Sequence, residues 1–396
     1  MTLTAAIRAP HPDQIAHAGP RIARVEVATD LAAVAPIWHR LEAEGLSTPY
    51  QRFALQAAWQ RHVGVHDGVT PLIAIGFDAQ HQPLVLLPLV VRSENGVRVA
   101  RFFGGKHVTF NMPLWQRDFA ASAVKDDLDV LLQGIRSHGG ADLLALIRQP
   151  RRWLGLANPM ALLPHQISTN DCPVLTMVAG DPPVNRISNS FRRRLKGKER
   201  KLQALPGYGY QLATTPAEIE RTLDAFFAIK PLRMAEQKLP NVFAEPGVEA
   251  FIREACAAPV AGGHAIEVHA LRCDDEVIAM FAGVADAHRF SMMFNTYTMS
   301  ANSKYSPGLI LMRDIIDHYA ERGTTSLDLG IGSDDYKRLF CKGDEPIFDS
   351  YLPLSARGAV AAVAMSSLTH AKRLVKQTPA LMQMAQLMRS VLHRQH

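Results

Sequence analysis

Cysteine is scarce, and its spacing excludes two architectures. Cys172, Cys256, Cys273 and Cys341 lie far apart with no paired spacing, so neither a zinc knuckle nor a small disulfide framework is indicated. Reduced thiols in the cytosol are the simplest account. No run of about 18 apolar residues occurs, and the first twenty residues mix Pro, His and charge without an apolar core, which disfavours membrane spanning and secretion. The expectation is a cytoplasmic protein. His62 and His66 are the one close pair at i,i+4 helical spacing, with Gly64 between them, so no metal site is expected. No Gly-x-Ser-x-Gly elbow, Walker loop or dinucleotide fingerprint is present, which removes the commonest hydrolase, NTPase and dehydrogenase readings. Acidic residues stop at Asp349, beyond which the chain carries Arg357, Lys372, Arg373, Lys376, Arg389 and Arg394.

What remains is ordinary for a folded protein. The 396 residues are 47% hydrophobic and 20% charged, enough to bury a core in two or three domains. The formal charge of +6 is modest, so its distribution matters more than its size. Besides the acid-free tail, basic residues gather at Arg192, Arg193, Arg194, Lys196, Lys198, Arg200 and Lys201, facing only Glu199. A helix over 190–205 with this composition invites a nucleic-acid reading, but Phe191 alone is aromatic there, so stacking on single strands is poorly supported and DNA is not an expected partner. The favoured reading is a wall of an active cleft, with one or two arginines, Arg193 among them, turned toward substrate.

Hydrophobic periodicity organises the chain into repeated element order. Residues 1–20 read as a flexible leader. Strand 21–27 and helices 31–46 and 53–63 precede three strand-like runs at 71–77, 83–91 and 97–103, then a helix at 119–138 and a strand at 141–147. Breakers between 164 and 183 mark a boundary, giving domains at 21–180 and 181–355. The second half repeats the order: helices at 190–205, 216–229 and 246–257, strands at 265–272, 277–285 and 289–296, a helix at 308–322 and a strand at 325–329. This suggests a tandem α/β architecture with mixed sheets. Residues 356–396 read as a basic tail of two amphipathic helices, around 360–368 and 381–392, able to contact an anionic membrane surface.

The stretch Tyr305-Ser306-Pro307-Gly308-Leu309 carries the most chemistry. Pro307 presets the first helical turn, Gly308 removes a side chain where a ligand must approach, and the free N–H groups of that turn attract anions. An ordinary helix start is the competing reading. Asn295, Tyr297, Asn302 and Lys304 add a density of polar groups that a plain loop would not need. Asp328 stands at a strand end, where burial shifts carboxylates toward general-base use; the alternative is a structural Asp holding the Gly330 to Gly332 turn. Tyr336 could protonate a leaving thiolate and Lys337 could hold a carboxylate or phosphate, against a packed Tyr beside a solvated Lys. Lys230 and Arg233 could hold an acceptor, or form a surface salt bridge.

In this order, the basic Phe191-to-Leu195 helix, Lys230 to Arg233, the 275–285 strand pair, Tyr305-Ser306-Pro307-Gly308, Asp328-Leu329-Gly330 and Tyr336-Lys337 resemble the cellulose-biosynthesis-associated acetyltransferases of the GNAT superfamily, over about residues 21–355. The resemblance implies tandem GNAT-like domains and an N-acyltransferase with no resident cofactor, using acyl-coenzyme A, most simply acetyl-coenzyme A, as co-substrate. It implies a donor seated on Asn295, Tyr305, Ser306, Pro307, Gly308 and Leu309, with the pantetheine arm along a splayed strand. Asp328 and Tyr336 would be catalytic, and Arg193, Lys230, Arg233, Tyr297 and Lys337 would face an amine-bearing acceptor, such as an amino sugar or polysaccharide precursor of a bacterial exopolysaccharide pathway. Two features depart from the pattern: the Gln/Arg-x-x-Gly-x-Gly/Ala loop of the wider superfamily is absent, and Met-Ala follows Arg233 where the family has an aromatic residue. Fem-type ligases share the tandem architecture but take aminoacyl-tRNA, and a non-catalytic scaffold is the third reading.

Overall fold

The computed structural model describes residues 19–378 except Ala179 and Ser333. The first half opens with β1 (Arg24–Ala28), α1 (Leu31–Glu44), β2 (Thr70–Phe77), β3 (Pro83–Glu94) and β4 (Val97–Phe102). These strands form an antiparallel run in the order β1-β2-β3-β4. Most of β2 and β3 is apolar and buried, the pattern of strands covered on both faces. Asn95 and Gly96 turn β3 into β4 with φ of 52° and 79°, the positive values a two-residue hairpin requires. Next come α2 (Lys125–His138), ended by Gly139 in the left-handed region, and β5 (Leu143–Pro150). The helix expected at 119–138 is interrupted at Ala123–Val124, because the Asp127 carboxylate accepts the Val124 N–H and starts a new helix there.

The second half repeats the plan. After β6 (Cys172–Thr176) come α3 (Asn189–Leu202), β7 (Gly209–Ala213), α4 (Pro216–Glu236), β8 (Glu267–Arg272), β9 (Val277–Ala285) and β10 (Arg289–Tyr297). Then α5 (Pro307–Glu321) leads to β11 (Ser326–Asp328), β12 (Gly343–Glu345), β13 (Ile347–Pro353) and α6 (Ala356–Gln377). In the 164–183 segment, which carries no sustained period, β6 lies inside the second sheet, ordered β7-β8-β9-β10-β11-β6-β12. Conversely, β13 lies in the first sheet beside β5. The two sheets thus exchange terminal strands, and sheet membership changes before β6 and again between β12 and β13.

One continuous hydrophobic core runs from Trp38, Tyr50 and Phe103 in the first half to Phe226, Phe251 and Phe294 in the second. A second core lies under α3 and α5, around Leu195, Phe281, Ile315 and Phe340. Polar ties across the halves include Arg52 Nη2 donating to the Ala285 carbonyl at 2.6 Å and His62 Nε2 facing Glu254 Oε2 at 2.6 Å. The tail helix α6 docks on the first sheet, and a Cβ on its Gly358 would fall 1.7 Å from the Asp142 carbonyl oxygen, so only glycine allows this approach. The leader apart from residues 19 and 20, and the second tail helix expected at 381–392, lie outside the described residues. No described helix is long and apolar enough to cross a membrane.

Candidate active site

The site grows from a divergence in the second sheet. Strands β10 and β11 run parallel and pair from Arg289↔Ser326 to Ser291↔Asp328, after which β11 ends and β10 continues alone to Tyr297. A register irregularity in the β9–β10 pair falls between Ala282 and Gly283, just where the divergence begins. A Cβ on Gly283 would meet the Ser291 carbonyl oxygen at 2.3 Å, so glycine permits the kink. Beyond it no described strand pairs with the edge of β10 that faced β11, which leaves a groove in the sheet backbone between the two strands.

Asp328 anchors the closed end of that groove. Its side chain is 0% exposed, accepting from Ser291 Oγ at 2.5 Å, from the Gly330 N–H at 3.0 Å and from Cys172 Sγ at 3.8 Å. Burial pushes its carboxyl up to about 6, against the lowering influence of Arg289, Ser291 and Gly330. The carboxylate faces the first half, where burial and Asp328 together hold the Tyr50 phenol well above its usual range. Expected at the reacting centre as a base, Asp328 instead has no exposed atom to offer a substrate. Its bonds to Ser291 and Gly330 tie the end of β11 to β10 and to the turn that follows.

Several of the other expected residues contact one another around the far part of β10. Lys230 Nζ donates to the Asn295 carbonyl at 2.9 Å, and Arg233 Cζ stacks 3.5 Å from the centre of the Tyr297 ring. Burial, then Arg233, lowers the Lys230 ammonium. Tyr336, on the short turn Asp335–Leu339, is pushed up to about 12 by burial and Asp334, with the Asn295 side chain opposing, so its phenol holds its proton at neutral pH. Lys337 is turned inward: Nζ donates to the Gly330 and Ile331 carbonyls at 3.1 and 3.0 Å. It shapes the turn after β11, a different task from the substrate contact expected of it.

At the start of α5, Ser306 adopts φ 57° and ψ 52°, an uncommon left-handed conformation for a residue with a side chain. Lys198 Nζ donates to Ser306 Oγ at 2.7 Å and so sits at the positive end of α5. A cation there is disfavoured unless an anion joins it. A Cβ on Gly308 would meet Tyr297 and Phe281 at 3.6 to 3.9 Å, ordinary contact, so a methyl group fits here against both rings. Tyr305 and Leu309 are half-buried against the second core. Part of the polar density of the preceding loop has a structural cause, since Thr298, Ser300 and Asn302 all donate to the Glu276 carboxylate.

Arg193 is exposed on the outer face of α3, whereas Phe191, Arg192, Leu195, Lys198, Glu199 and Leu202 form the inner stripe. Arg192 pairs with Asp317, and Glu199 pairs with Arg313 at 2.8 Å. Lys198 was the residue to find, and its helical spacing from Leu195 and Leu202 places it on the buried face.

A parallel strand pair that parts beside a helix start, after an antiparallel meander, defines a GNAT-type fold, and the chain builds it twice in tandem. Residues 189–338 match the family model described as an acetyltransferase (GNAT) domain. No protein of curated function matches the sequence. Among solved structures, a protein described as the C-terminal domain of a lysylphosphatidylglycerol synthetase from Agrobacterium fabrum aligns with a TM-score of 0.52 at 12% identity, covering 86% of this chain and 97% of its own. FemX aligns with a TM-score of 0.51 at 8% identity over 77% and 96%. A conserved protein of unknown function from Bacteroides thetaiotaomicron aligns with 0.50 at 11% over 83% and 100%. At these identities the likeness is one of fold. Residues 189–338 thus carry the likeness to a GNAT acetyltransferase domain, and the chain has a mixed α/β fold throughout.

Proposed function

We propose that this protein transfers an acyl group, most simply acetyl, from acyl-coenzyme A to an amine acceptor, with the donor bound in the second half. The observation that carries this reading is the Lys198 ammonium at the start of α5, opposite a groove with an unpaired strand edge. A pyrophosphate would take the helix N–H groups and Lys198, and the pantetheine arm would lie along β10 in place of the missing strand. In the first half the corresponding helix start is already occupied. There the Asp127 carboxylate fills the start of α2, accepting from the Arg21 and Val124 N–H groups at 2.6 and 3.0 Å.

In the reaction a neutral amine attacks the thioester carbon, the C–S bond breaks, and the leaving sulfur takes the Tyr336 phenolic proton. Water removes the amine proton, because Asp328 is sealed off. Lys230, Arg233 and Tyr297 border the acceptor side. An amino sugar or other precursor of a bacterial exopolysaccharide fits the amine chemistry. The outer face of α6 carries Val360 at 74% and Val363 at 68% exposure, with Arg357 before them and Lys372 further along the helix, which favours peripheral contact with anionic membrane.

Thermal-shift titration with acetyl-coenzyme A, longer acyl-coenzyme A species and free coenzyme A tests the donor. Wild type and Gly308→Ala should rise in melting temperature, and Gly308→Trp should not. No rise in wild type, together with salt-sensitive tRNA binding lost when Arg193 and Arg194 become Ala, would replace this reading with an aminoacyl-tRNA donor.

A further inference from the structure

A cavity of about 580 Å³ beneath α6 is bordered by Arg148, Asn170, Ile331, Asp349, Lys372 and Lys376. Its floor is an irregularity in the β5–β13 pair, between Phe348 and Ser350. Arg148 sits there with φ 61°, and its backbone is held on both sides: its N–H donates to Asp349 Oδ1 at 2.8 Å, and its carbonyl accepts from the Asn111 N–H at 3.0 Å. A non-glycine residue so constrained is a functional candidate, and the surroundings of its side chain say for what.

The Arg148 guanidinium is substantially buried, yet the one bond it donates among the described residues runs from Nη1 to the Val108 carbonyl at 2.9 Å. It forms no ion pair with a described carboxylate. Asp349, the nearest candidate, spends Oδ1 on the Arg148 N–H and Ser168 Oγ, and burial raises its carboxyl above the usual range. Lys376 donates to Asn170 Oδ1, and Lys372 is exposed at the rim. Arg148, Lys372 and Lys376 therefore border one acid, Asp349, around an open space. The Arg148 side chain is partly exposed and feels the Asp349 charge, yet beyond Val108 no described protein group accepts a hydrogen bond from it.

We infer that the cavity holds a carboxylate or phosphate group carried by the acceptor, with Arg148 as the residue that selects for it. Ile331 connects the two places. It lines the cavity, and its carbonyl and that of Gly330 are fixed by Lys337 in the loop leaving Asp328, so a molecule anchored on Arg148 lies one loop away from where β10 and β11 separate. The acceptor assignment rests on the acyl-transfer reading, whereas the anion site does not. It narrows the acceptor from any amine to an acidic one.

Titration calorimetry on the full chain with O-phosphoethanolamine, γ-aminobutyrate and ethanolamine tests the site. At least one acidic amine should bind wild type more tightly than ethanolamine, and Arg148→Gln should weaken it by about tenfold or more, as expected for loss of a charge-assisted bond. Lys372→Glu, at an exposed position, should weaken it in the same direction and decides the matter alone if Arg148→Gln does not fold. Unchanged affinity in the variants, or no preference for the acidic amines, overturns the inference. Acidic-amine binding that depends on Arg148 without any acetyl-coenzyme A response would instead sink the donor reading and leave the anion site standing.

Discussion

Replacing Asp328 by Asn should change how stability depends on pH, in a direction set by burial. The carboxyl titrates near 6 in the folded protein and has an ordinary value of 3.8. A group whose folded value is raised binds its proton more tightly when folded, so it favours folding below pH 4 and loses that contribution as pH rises through 6. Ionised at neutral pH, it costs the fold about 3 kcal/mol relative to its protonated form. Ser291 Oγ and the Gly330 N–H, on different carboxylate oxygens, offset part of the cost of removing the charge from water; in Asn the amide oxygen can keep the Gly330 N–H, and the Ser291 hydroxyl can turn to accept from the amide NH2. Other groups titrate in the same window: Asp314 is also pushed up to about 6, and His318, pulled down to about 4 by burial and Arg322, acts in the opposite direction. The difference between wild type and Asp328→Asn removes these shared contributions. Urea unfolding of both proteins between pH 4 and 8 should show the variant gaining on wild type by about 3 kcal/mol across the range, most steeply between pH 4 and 6. Parallel curves would refute the assignment of a strained, ionised carboxylate at the closed end of the groove.

Tyr336→Phe should lower kcat by about 10²-fold while leaving the acetyl-coenzyme A thermal shift in place, since it removes a proton donor and not a binding group; equal kcat would exclude Tyr336 as the acid. Co-sedimentation with vesicles rich in phosphatidylglycerol should exceed that with phosphatidylcholine, and the double substitution Val360→Asp, Val363→Asp should abolish the difference. Equal pelleting of the double variant and wild type would remove the membrane contact.

Much of the second half was legible along the chain. The alternation of β8, β9 and β10, the Pro307 start of α5 and the Asp328-Leu329-Gly330 strand end are local signals, carried by side-chain period and by the backbone restrictions of Pro and Gly. They also pointed to the strand end and helix start, because a strand followed by a preset helix start is a feature of neighbouring residues. Long-range pairing was not legible. Strand β6 is five residues long with Pro173 inside it, too short and interrupted to show a period, and it becomes a strand because β11 and β12 supply partners on both sides.

The roles of particular residues divide in the same way. The sequence alone determined which residue types stand near the groove: a strand-end acid, a tyrosine after it and a lysine-rich helix before it. Only the tertiary structure decided what each does. It buried Asp328 against the first half, turned Lys337 onto backbone carbonyls, left Arg193 facing outward and brought Lys198 to the start of α5. It also left the Arg148 guanidinium beside an open cavity, with Asp349 nearby but no ion pair to a described carboxylate. The physical reason is that composition and spacing fix charge and local conformation, whereas desolvation and pairing depend on which distant segment closes over a side chain.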